Sequence, residues 1–382
     1  MYAQPNLMPW IHALREDIDG LELYDAHVHL GLRDPAGLQA TEEEALDALE
    51  QVGSRALIFP LKEPAGYGRA NARMLELAAE HPERLKALCR LDPRDGALEE
   101  AERCLDAGAV GIKLHPRGEG FELVDERLDD VFALADDRRL PMMIHAGAGD
   151  PEVGIHALER AERHPHARLI LAHCGIGAFE HVVPRAREFE NLYFDTSWWN
   201  PSDIWALFRM VPVGRILYAS DIPFASPAEG LILTGRIAIQ AGLSPEQIRG
   251  VMGGQLERLV AHEEPLELAS APEDVDALPP ELERLYVTLV TAVEPMLRGA
   301  DPGQGLELAR TACQKPNGPH ADVIECVGAL LEMNERQEEP DPLRALRAPG
   351  FDLVLAAAVA ARTPSATSPS LDEIRELAAA AG

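Results

Sequence analysis

Between positions 21 and 260 the sequence switches period again and again. A short apolar run gives way each time to a longer stretch with apolar residues every three or four positions. The apolar runs fall at 21–30, 55–61, 85–91, 110–115, 141–145, 169–173, 192–196 and 215–221. Runs this short predict strands; the stretches between them predict helices. The helices are expected at 41–53, 69–80, 97–107, 127–137, 154–162, 178–188 and 201–210, with two more inside 227–260. Thr41 followed by Glu44 reads as a capping box, and Gly53 as the stop of that helix. Strands alternating with helices imply a parallel sheet. Eight strand–helix units in about 240 residues fit a closed (β/α)8 TIM barrel better than an open doubly wound sheet. No G-x-G-x-x-G or Walker segment follows a strand, which argues against a nucleotide-binding sheet.

The strands end on polar residues. The stretches are Asp25-Ala-His27-Val-His29, Lys113-Leu-His115-Pro116, Ile144-His145-Ala-Gly147, Leu171-Ala-His173-Cys-Gly175 and Ala219-Ser-Asp221-Ile-Pro223. Parallel strands in a barrel bring their C-terminal ends to one rim, so residues far apart in sequence would meet there. His27 and His29, two apart on one strand, point to the same side. Two neutral imidazoles on one side suit a metal ion, although two hydrogen-bonded histidines at a strand end would look the same. His145 and His173 are each followed by small residues that leave room for a ligand. Asp221 reads as a metal ligand and as a general base toward water, or as a cap for the following segment. Lys113 and His115 share a parity on the fourth strand and read as substrate contacts. A rim salt bridge or a carbamylated lysine bridging two metals are the other readings of Lys113. Trp198-Trp199-Asn200, after the seventh strand, reads as pocket wall or as packing.

Outside the barrel, residues 1–20 suggest an amphipathic arm carrying Trp10, Ile11, Leu14 and Ile18. Positions 265–280, rich in Pro, Ala and acidic residues, read as a linker. Residues 281–382 read as a small helical domain, with helices at 281–298, 305–314, 319–335, 343–362 and 371–381, packed on the barrel or on a second subunit of a homodimer. The balance of 35 basic and 64 acidic residues gives a net charge of −29. A surface this acidic repels phosphate backbones and anionic lipid, so neither nucleic acid nor membrane is an expected partner. An anionic small-molecule substrate stays possible, since a buried cation reverses the field locally. Five scattered cysteines without a C-x-x-C pair argue against a disulfide framework. With no signal-like start, these features make a soluble cytoplasmic protein the expectation.

Taken in order, D-x-H-x-H, G-I-K-L-H-P, I-H-A-G, L-A-H-C-G, Y-F-D-T-S and Y-A-S-D-I-P resemble the amidohydrolase superfamily. The likeness is to its amidohydrolase-2 branch of metal-dependent hydrolases, which also holds the aminocarboxymuconate-semialdehyde and resorcylate-type decarboxylases. It spans about residues 21–262. The resemblance implies a divalent metal, zinc first and manganese second, on His27, His29, His145 and Asp221. It implies that His173 orients or protonates, or binds a second metal, and that Lys113 occupies the position carbamylated in binuclear members. Decarboxylase members generally lack that lysine, so the resemblance leans toward hydrolysis of an amide, lactone or related carbonyl bond, with Asp221 and His173 catalytic. Non-oxidative decarboxylation of a small acid is the alternative; a metal-free lactonase and a non-catalytic scaffold are the more distant ones. Met252-Gly-Gly-Gln-Leu departs from the branch's usual Gly-Asn-Ala, and the region after 262 lies outside the family pattern.

Overall fold

Eight strands pair in chain order, every neighbour parallel. They are β1 (Leu23–Leu30), β2 (Ser54–Pro60), β3 (Leu85–Leu91), β4 (Gly111–Leu114), β5 (Pro141–Ile144), β6 (Arg168–Leu171), β7 (Leu192–Asp195) and β8 (Ile216–Leu217). The structure is a computed structural model and describes residues 2, 4–335 and 347–380. The chain past β8 folds back on β1. Ala26 N–H donates to Tyr218 O (3.0 Å), Asp221 N–H to His27 O (2.9 Å) and His29 N–H to Ile222 O (2.8 Å). These bonds close the sheet into a TIM barrel.

Alternate residues fill the interior. Leu57 and Phe59 of β2, Leu88, Met143, Ile170, Tyr193 and Leu217 form one cluster with Tyr24 and Ala26 of β1. By the same parity Arg90, Lys113, His145 and Asp195 face inward, toward the C-terminal end. β1 breaks its own parity. The register shifts between Asp25 and Val28. Before the shift Tyr24 and Ala26 pack inside; after it Val28 and Leu30 pack outward against Ala45, Leu49 and Ile58. A bulge of this kind re-aims side chains, and here it turns His27 and His29 into the barrel. Asp25 holds the distortion in place, its Oδ1 accepting from His27 N–H (3.0 Å) and from Ser220 N–H (2.9 Å).

The helices cover the outside with few departures from expectation. Thr41 Oγ1 accepts from Glu44 N–H, and Gly53 ends the Glu42–Val52 helix at φ +65°. Residues 178–188 do not form the expected single helix. Phe179–Val182 is one α turn that passes into a 3-10 turn, Val183–Glu188, where Pro184 has no N–H to give an α-helical ladder. The Gly-Gly departure noted above lies in a π turn, Gly250–Gly254. A Cβ on Gly253 would come within 3.0 Å of Glu22 O and 3.1 Å of Tyr24 N, so glycine there permits close packing against β1.

The N-terminal arm forms the helix Met8–Asp17, with Trp10, Ile11 and Leu14 buried. The C-terminal helices are Pro280–Leu297, Gly303–Cys313, Ala321–Glu335, Phe351–Arg362 and Leu371–Ala380. The expected helix at 343–362 begins at Phe351, and positions 343–346 lie outside the described residues. The buried side chains of these helices belong to one continuous apolar cluster with much of the barrel's outer layer, while the outer side of β1 and β2 forms a cluster of its own. No described helix is long and apolar enough to cross a membrane.

Candidate metal centre

Strand ends and the turns just beyond them supply the polar groups. His27 and His29 come from β1, Lys113 from β4, His145 from the end of β5 and His173 from the turn after β6. Asp195 closes β7, and Asp221 follows β8. His173 and Asp221 adopt left-handed backbone conformations, at φ +56° and +69°. Non-glycine residues are held there at some cost, and such strain concentrates at functional sites.

His27, His29 and Asp221 form the tight cluster, with one ligating atom of each lying within 4.8 Å of the others. His27 Nε2 is 3.0 Å from His29 Nε2, and the two stand 3.3 and 3.5 Å from Asp221 Oδ1. The outer ring nitrogens decide the tautomers. His27 Nδ1 lies 2.8 Å from Asp195 Oδ2 and His29 Nδ1 lies 3.4 Å from Pro60 O. Both partners can only accept, so both Nδ1 atoms carry the proton and both Nε2 atoms present a lone pair. Asp221 Oδ1 is buried and has no hydrogen-bond partner among the described residues.

Two ring nitrogens without hydrogens therefore converge on one carboxyl oxygen. Burial, with the charge of Lys113 next, holds His27 well below the ordinary imidazole range, and burial does the same to His29. Burial, then the neighbouring Asp195, pushes Asp221 well above the carboxylate range. Each of these groups is poorly placed without a cation, and a divalent ion would favour the neutral imidazoles and the ionised carboxylate together. The donor set fits such an ion: two neutral nitrogens and one carboxylate oxygen.

Asp195 organises the surroundings. Besides holding His27, it accepts at Oδ1 from His173 N–H (2.8 Å), Ser197 N–H (3.0 Å) and Ser197 Oγ–H (2.5 Å). The sequence motif Y-F-D-T-S contained this residue, but no role could be read for it there. Its parity with Tyr193 at a strand end was the available signal. His173 donates from Nδ1 to Ser197 O (2.8 Å), which leaves Nε2 to accept from His145 Nδ1 (3.0 Å). His145 is thus hydrogen-bonded to His173 and stands outside the three-residue cluster. His115 stacks on the His145 ring, centroids 3.9 Å apart and planes at 12°, and accepts from Gly118 N–H.

Lys113 is fully buried, its Nζ 3.4 Å from His27 Nε2 and over the Phe59 ring at 4.7 Å. Burial, helped by the charge of Arg90, brings it down to about 7. Arg90 itself is paired with buried Glu119 at 2.7 Å and donates to Pro60 O, neither being a residue the sequence singled out. A cavity of about 670 Å³ opens above the cluster. His29, His115, His145, His173 and Asp221 line its floor, and Trp198 and Trp199 stand in its wall. Asn200, by contrast, caps the next helix by accepting from Ser202 N–H.

The family profile described as amidohydrolase matches residues 24–255. No curated protein matches the chain significantly in sequence. Among solved structures, an uncharacterised TIM-barrel protein from Bordetella bronchiseptica aligns at 15% identity and TM-score 0.53, covering 63% of this chain and 99% of its own. A 2,6-dihydroxybenzoate decarboxylase from Rhizobium aligns at 16% and 0.51, covering 63% and 99%. A probable 2-pyrone-4,6-dicarboxylic acid hydrolase from Acinetobacter baumannii aligns at 14% and 0.51, covering 63% and 100%. At these identities the likeness is one of fold. The matched profile runs from the start of β1 to the helix after β8 and takes in every residue of the cluster, and the chain belongs to the amidohydrolase family of enzymes.

Proposed function

We propose that this protein is a metal-dependent hydrolase of a carbonyl bond, amide, lactone or ester, in a small molecule. The observation that carries the reading is the meeting of two ring nitrogens that carry no hydrogen, His27 Nε2 and His29 Nε2, with Asp221 Oδ1. These residues would hold the ion, zinc before manganese. When bound, such an ion supplies Lewis acidity and lowers the pKa of water toward neutrality.

The chain's own groups do the rest. Asp221 takes the proton of the attacking water at its second oxygen, the one facing His173 at 3.8 Å. His173, fixed through Ser197 O and the Asp195 carboxylate, and Lys113, fixed beside His27, steady the charge that develops on the substrate oxygen. His115 and His145, stacked on each other, form the side of the floor against which the substrate lies.

Decarboxylation is the second reading, favoured by one observation. Lys62 and Arg117 face the cavity and donate only to backbone carbonyls, Gly118 O and Ala148 O. Among the described residues neither has a carboxylate partner, which suits a substrate that brings its own.

Elemental analysis of the purified protein beside His27→Ala/His29→Ala tests the reading. Stoichiometric metal in the wild type, lost in the double variant and retained in His145→Ala, supports the three-residue site. A second ion per chain would bring Lys113 in as a carbamylated bridge, and protein without metal in every preparation would end the proposal. Product analysis on lactone and hydroxybenzoate panels then separates hydrolysis from release of carbon dioxide.

A further inference from the structure

The cavity above the cluster is not made by the barrel alone. Leu297, at the end of the Pro280–Leu297 helix, and Leu355, in the Phe351–Arg362 helix, line it together with Leu233 and Phe224 of the barrel. Both leucines lie beyond residue 255, where the family profile stops.

The helices that carry them are fixed in place. Phe351–Arg362 is apolar on every side and buried along nearly its whole length, as expected of a helix enclosed by others. It packs between Pro280–Leu297 and Ala321–Glu335 on one side and the barrel helix Pro227–Gln240 on the other. Arg236, fully buried on that barrel helix, donates to Thr363 Oγ1 (3.0 Å), Thr363 O (3.2 Å) and Ala366 O (3.3 Å) just beyond it. At the rim of the cavity, Gln4 of the N-terminal arm donates to Glu229 (2.8 Å) and Asp352 (3.0 Å), and Glu229 pairs with Arg347 at 3.0 Å. A wall tied this way from three parts of the chain does not swing clear as a flap would.

We propose that the helices after residue 280 are the second half of the active site. Leu297 and Leu355 receive the apolar body of the substrate and set its size, while its carboxylate or carbonyl head lies on the histidine floor. The substrate class that follows is a small organic acid, or its ester or lactone, with an aryl or alkyl body. This rests on the catalytic reading above for the head group only; the wall stands on geometry of its own. A cavity of this volume is within the usual range for a small-molecule site, and a bulky side chain added to its apolar wall would take up room the ligand needs.

Equilibrium dialysis of the full-length protein with 2-naphthoate and with acetate tests the wall. The wild type should bind 2-naphthoate at least tenfold more tightly than acetate. Leu355→Trp should lose that preference about tenfold, acetate binding and metal content staying as in the wild type, while Leu355→Met restores it to within about twofold. Leu297→Trp gives the same reading from the other helix should Leu355→Trp not fold. Naphthoate binding that ignores both tryptophans, or a wild type with no preference for the larger acid, overturns the proposal. Metal analysis keeps the two ideas apart. Metal-free protein with Leu355-dependent binding would end the catalytic reading alone, and metal-loaded protein with Leu355-independent binding would end the wall alone.

Discussion

The floor of the cavity and its wall are built on opposite principles. The floor rests on groups that burial disfavours: Asp25 is pushed up to about 7 and Lys113 down to about 7, both chiefly by loss of water. It also strains two backbone positions. The wall is ordinary core: Leu297 of one helix, and Leu355 of an alanine-rich second helix that ends against one buried guanidinium. Folding energy opposes the first arrangement and favours the second. The difference teaches that the floor is held against the cost of burial, whereas the wall is stabilised by the same packing that shapes the cavity. Substitutions should therefore separate the two regions: floor changes move metal and rate, wall changes move stability and ligand size.

Asp221→Asn should show the largest effect. It keeps the shape but removes the ionised oxygen and the proton acceptor, and a fall in turnover of roughly 10²- to 10⁴-fold is expected. Steady-state kinetics on whichever substrate the panels yield would check it, and a loss under tenfold would remove Asp221 from the chemistry. Asp195→Asn acts one step further out. The residue touches no ligand atom, yet it fixes the tautomer of His27 and the backbone of His173. Such partners are worth about 10- to 100-fold in metal affinity, measurable by competition with a chelator. An unchanged affinity would mean that the lone pair of His27 does not depend on Asp195.

The wall should respond differently. Arg236→Met takes away the donor to Ala366 O in a closed interior and leaves Thr363 O with only its bond from Ala366 N–H (3.2 Å). A loss of about 2 kcal/mol in stability is expected, from the usual cost of unsatisfied buried groups, with metal content unchanged. Denaturant titration and elemental analysis of one preparation read both. Metal lost along with stability would mean that floor and wall are one cooperative unit, and the contrast drawn here would fail.

The two regions also differ in how far the sequence discloses them. The eight period changes give all eight strands, and a histidine or aspartate at the end of an apolar run is visible because it interrupts a pattern. What turns His27 and His29 inward is not visible. The bulge between Asp25 and Val28 depends on bonds from Asp25 to His27 and Ser220, residues 2 and 195 positions away. Asp195 was hidden for a related reason: its partners come from β1 and from the turn after β6. The wall is the harder case. Leu297 and Leu355 read as core residues of apolar helix faces, which they also are, and only the docked position of those helices brings them to the cavity. His145 shows the converse limit. Its place at a strand end was legible, but whether its ring turns to the cluster or to His173 depends on a 3.0 Å contact.

The pH dependence of stability is the most direct measure of what the floor costs. In chelated protein, burial lowers Lys113 from its ordinary value near 10.5 to about 7. Over that interval the unfolded chain binds a proton that the folded chain does not. Stability should therefore rise with pH from about 7 upward, and the cost of the buried lysine should be fully present below 7. The slope for a single such group is about 1.4 kcal/mol per pH unit at its steepest. Lys113→Met should abolish the rise while leaving the rest of the profile unchanged. Asp25 works in the opposite sense at lower pH. Its raised value makes the folded chain hold the extra proton between about 4 and 7, so stability falls with pH there. Chemical denaturation of chelated wild type and Lys113→Met from pH 7 to 9 would resolve the slope. A wild type whose stability is flat over that range would mean that Lys113 is charged in the folded state, and that the floor is less opposed by burial than its contrast with the wall requires.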